Sequence, residues 1–175
     1  MSNTRPLVTG LFPDRTSAEA AYSVAEARGY TADDMNLAMS DETRKTHFTG
    51  STAGRETELG NKAAEGAGIG GAIGGTIGAV AAAVAAVGTS IALPGLGLVI
   101  AGPLAAAIAG AGAGAAGGGL IGALVGGTMP EERVKEYEEG MKKGGILMGL
   151  RAKDDADAEH LEGAWKNNRG QYVYR

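Results

Sequence analysis

The sequence predicts an α+β fold in which two strand–helix–strand units are held apart by a long Gly/Ala-rich helical hairpin and a charged amphipathic helix. Three observations predict it. Residues 66–130 contain no Asp, Glu, Lys, Arg or His, so an uncharged middle separates two charged ends. Each end alternates β-favouring runs with a helical run bounded by turn residues. Glycine makes up 31 of the 175 residues, well above the usual share of about 7%, and is concentrated in the middle.

The first unit occupies residues 1–40. LVTGLF is an apolar run of strand length. In PDRTSAEAAYSVAEARGY, Thr16 and Glu19 have the spacing of a capping box, Ala20, Val24 and Ala25 supply an apolar face, and Gly29 sits where a C-terminal cap belongs. MNLAMS then reads as a second strand. Residues 41–62, DETRKTHFTGSTAGRETELGNK, are polar and short of apolar residues, and are expected to be a linker.

The uncharged block gives a helical hairpin over residues 63–128. Pro94 and Gly95 mark its turn. One arm then runs to about Ala92, and the other from about Gly102 to Thr128. Along the first arm Ile69, Ile73, Ile77, Val80, Val84, Val87 and Ile91 recur at helical spacing, beside a row of Gly66, Gly70, Gly74 and Gly78. The second arm carries Gly110, Gly114, Gly118, Gly122 and Gly126, again every four residues. Such rows leave a flat groove that lets two backbones approach closely, as between membrane helices. Each mid-helix glycine costs roughly 1 kcal/mol relative to alanine, so these helices depend on packing against a partner. With apolar residues all round, that partner has to be lipid or other copies of the chain.

Residues 129–144 carry the charged helix. Thr128, Pro130 and Gly144 punctuate it, and Glu131–Lys135, Glu138–Lys142 and Glu139–Lys143 are favourable i,i+4 pairs of a solvated helix. The second unit, residues 145–175, repeats the first: GILMGLRA as strand, DDADAEHLEGAWKNNRG as helix with Leu161, Ala164 and Trp165 inward and Gly170 at its end, and QYVYR as a final strand. A strand–helix–strand unit used twice is the ferredoxin-like pattern.

The same residues exclude several functions. With no cysteine there are no disulfides, thiolate metal sites or cysteine nucleophiles. A net charge of −4 without clustered Lys and Arg argues against nucleic acid. The GxGxxG matches at Gly66, Gly68, Gly71 and at Gly112, Gly114, Gly117 lack the preceding strand and following acid of a dinucleotide site. His47 and His160 lie among polar residues without further ligands at defined spacing, and the acids at 154, 155 and 157 have the placement of helix caps. GTSIA around Ser90 lacks the final glycine of a nucleophile elbow. No catalytic residue, cofactor, metal or small-molecule substrate is therefore expected. MSNTRPLVTG has no basic region followed by a long apolar run, so a cytoplasmic start without a cleaved signal is expected.

The layout resembles the bacterial heat-induced and general stress proteins of the YflT kind, which have a glycine-rich (glycine-zipper) central hairpin. The residues that carry the resemblance are LVTGLFPDRTSAEAAYSVAEARGY with MNLAMS, ALPGLGLVIAGPLAAAIAGAGAG, and PEERVKEYEEGMKKGGILMGLRA. It implies a ferredoxin-like unit interrupted by the hairpin, a role in stress physiology, membrane association and no catalytic residues. The expected function is a non-enzymatic stress-response protein that self-assembles through the hairpin in or on the cytoplasmic membrane, both termini cytoplasmic. The alternative is a soluble homo-oligomer, as a ring, shell or filament, whose hairpins bury one another without lipid. A third reading makes the sheet a small-ligand or regulatory module.

Overall fold

The computed structural model describes residues 5–48, 91–93, 97–103, 105 and 130–175. These form an α+β unit built on a six-stranded antiparallel sheet. In chain order the elements are β1 (Leu7–Phe12), α1 (Arg15–Ala27), β2 (Met35–Ser40), α2 (Asp41–Phe48), β3 (Ile91–Leu93), β4 (Leu98–Ala101), α3 (Glu131–Lys142), β5 (Ile146–Arg151), α4 (Asp155–Asn167) and β6 (Gln171–Tyr174). The strand order across the sheet is β3-β4-β2-β5-β1-β6.

The central strands are apolar on both sides because helices cover both faces of the sheet. On the first face Val8, Phe12, Leu37, Met148 and Leu150 meet α1 and α4, which contribute Ala18, Ala21, Tyr22, Leu161 and Trp165. On the second face Leu11, Ala38, Ile100 and Leu147 meet Val134, Tyr137 and Met141 of α3. The charged helix is thus half core. Its charges line the outer side, and one stripe at i, i+3, i+7 is enough to seat it on the sheet, which corrects the expectation of a fully solvated helix.

Local chemistry explains the helix ends. Asp14, rather than Thr16, caps α1: its carboxylate accepts from the Ser17 N–H at 2.8 Å, and Glu19 pairs with Arg15 instead of closing a capping box. An acid just after Pro13 offers the charged acceptor that the first turn favours. At the C-termini of α1 and α3, Gly29 and Gly144 take positive φ and the chain closes in a Schellman motif. In α4 the left-handed residue is Arg169, at φ 65°, and Gly170 follows it. Gly170 is required by space instead, since a Cβ there would lie 2.6 Å from the Trp165 carbonyl oxygen and 2.8 Å from a Val173 methyl.

Three further expectations change. Residues 41–48 are a helix rather than linker: Ser40 Oγ accepts from the Thr43 N–H at 3.0 Å, and Thr43 and Phe48 are buried. The cap belongs to the end of a strand and the apolar stripe has two members, so neither periodicity nor composition reveals it. Ile91 and Ala92, expected to finish a helical arm, belong to β3, and 98–101, expected in the hairpin turn, form β4. LVIA pairs with the edge of β2 because its alternate residues reach the two cores: Val99 and Ala101 one, Ile100 the other. Gly170→Ala should lower stability by about 2 kcal/mol through the contact with the Trp165 carbonyl, read as a drop in Tm; an unchanged Tm would show that the α4–β6 turn can relax around a side chain.

Candidate functional site at one end of the sheet

The strand registers bring the anchors of the uncharged block together. Leu7 of β1 lies opposite Arg151 of β5, Met35 of β2 opposite Leu150, Leu37 opposite Ala101 of β4, and Ile91 of β3 opposite Ile100. The starts of β1, β2 and β3 and the ends of β4 and β5 therefore share one end of the sheet. α3 begins at that end too. Gly140 packs on Leu11, Tyr137 reaches Thr9, and the Arg133 guanidinium lies over the Tyr174 ring at 3.6 Å, so running the helix backwards leads toward the start of β1. Three junctions with the uncharged block, at Ile91, Ala105 and Pro130, thus open at the same end.

The chain near Ala105, Pro130 and Phe48 is held by different contacts. Gly102, at φ +112°, turns the chain out of β4 against β2, where a Cβ would run into the Met35 carbonyl oxygen. Ala105 is buried in the same core as Val134. Tyr137 donates to the Tyr172 carbonyl oxygen at 2.8 Å and contacts Thr9 Oγ1 at 3.0 Å, tying α3 to β6 and β1, and burial pushes its phenol up to about 12. The other junction, at Phe48, is clamped farther away: Arg15 donates to the His47 carbonyl oxygen at 2.5 Å and lies 5.0 Å from the centre of the Phe48 ring.

The same end holds a polar cluster where α1 stops and α4 starts. Asp157 is 5% exposed and accepts hydrogen bonds from Arg28 Nε and from the Tyr30 hydroxyl. The Tyr30 oxygen in turn accepts from the Lys153 N–H at 2.8 Å, while the Lys153 ammonium donates to the Arg28 carbonyl oxygen at 2.7 Å and lies 4.6 Å from the centre of the Tyr30 ring. Burial pushes the Asp157 carboxyl up, but the Tyr30 and Arg28 hydrogen bonds outweigh it and hold the group below its usual range. Burial and the Asp157 hydrogen bond push Tyr30 up to about 12. Each member is hydrogen-bonded to another member, so the cluster joins the two halves of the fold.

Gly66, Gly70, Gly74, Gly78, Gly110, Gly114, Gly118, Gly122, Gly126, Pro94 and Gly95, expected to form the assembly surface and its turn, lie outside the described residues, as do the GxGxxG matches and Ser90. Asp154 caps α4 by accepting from the Asp157 N–H at 2.8 Å, while His47 and His160 are exposed. Among the described residues no cluster of three or more His, Cys, Asp or Glu could hold a metal, and no helix is long and apolar enough to cross a membrane. The sequence does not show the Arg28–Tyr30–Asp157 cluster, because Asp157 lies 129 positions from Arg28 and 127 from Tyr30. A signal did exist: an Asp in the first turn of α4 lies three residues after an Asp already sufficient to cap it. No protein-family model, curated protein or solved structure matches the chain.

Asp157→Asn should cost about 2 kcal/mol near neutral pH by weakening the pair with Arg28. Because the folded carboxyl titrates below its unfolded value of about 3.9, this contribution is complete above that pH and is lost as pH falls through the lower folded value. Denaturant midpoints of the two proteins should therefore differ from pH 5 to 8 and converge in acid; a gap independent of pH would assign the loss to packing.

Proposed function

We propose that the chain is a non-enzymatic bacterial stress-response protein of the heat-induced and general stress kind. In this reading a ferredoxin-like head presents glycine-zipper segments from one end, and copies assemble by burying one another's glycine rows. The order β2-β5-β1-β6 supports the fold part, since it interleaves the strands of two strand–helix–strand units, each crossing one neighbour. The observation that carries the functional part is the convergence of Ile91, Ala105 and Pro130. A molecule whose uncharged stretches all join its folded unit at one end is polar, in the sense of a detergent, and self-associates by that end.

Geometry favours assembly between copies over a membrane-crossing hairpin. Residues 106–129 leave Ala105 and come back to Pro130 on the same unit. As a helical hairpin, a stretch of that length reaches about 18 Å out and back at 1.5 Å per residue, short of a hydrocarbon core of about 30 Å. The soluble homo-oligomer therefore becomes the leading form, on the cytoplasmic side. Membrane association stays as the second reading, favoured by the absence of any charge in 66–130, with insertion limited to one leaflet.

Leucine in a glycine row holds the backbones apart. Gly74→Leu and Gly118→Leu should each weaken self-association at least tenfold in sedimentation velocity while leaving the near-ultraviolet signal of buried Trp165 intact. Undiminished assembly in both variants would overturn the proposal.

A further inference from the structure

We draw no further inference here: the strongest candidate, the β3 border of the sheet, which pairs with no further strand among the described residues and has no charged residue from Ile91 to Gly102, carries nothing because nothing in the structure shows what covers it.

Discussion

The arrangement depends on one close approach, that of Trp165 to β1 at Gly10. The indole lies where a side chain at Gly10 would stand, 3.2 Å from the Cβ position, with its edge toward Phe12 at a ring separation of 5.6 Å. Its Nε1–H donates to the Ala21 carbonyl oxygen of α1 at 3.1 Å, so a single fully buried side chain joins α4, α1 and β1. A buried indole needs a partner for its N–H, and only an α1 seated this close to α4 provides one. Small residues at Ala18, Ala21 and Ala25 let α1 descend far enough. From that contact the two halves of the chain acquire a fixed relation, although more than a hundred residues separate them.

The second tie between the halves is electrostatic. Arg28 and Tyr30 close α1, Asp157 opens α4, and Lys153 roofs the cluster. Burying a carboxylate is unfavourable unless its oxygens are paired, and here both are. The cluster sits at the end of the sheet where β3 starts and β4 ends.

Much of this was legible in the sequence, for reasons that can be named. LVTGLF, MNLAMS and GILMGLRA gave strands because β-favouring runs bounded by turn residues leave little alternative, and Leu161 with Trp165 marked the inward face of α4. The helix seen as solvated hid its stripe among eight charged residues, where charge pairing masked Val134, Tyr137 and Met141. The strand β4 was illegible for a different reason. In a block without charges, LVIA looks like its neighbours, and only the tertiary fact that β2 has an open edge with apolar residues on both sides turns it into a strand. For the candidate site, the glycine period was plain in the sequence, whereas the meeting of three junctions at one end follows from register, which no local pattern encodes.

The bulge in β6 has a consequence for symmetry. Between the pairs Thr9↔Tyr174 and Leu11↔Gln171 the last strand carries one extra residue, and Tyr172 takes φ 48° and projects 42% exposed from the border. A border kinked in this way cannot accept another strand in register. Among the described residues, the β3 border is then the one left to accept a strand. Two copies meeting there would use the same patch on each, a twofold contact that closes on itself and stops at a pair. Any higher-order particle must draw its additional contacts from outside the sheet.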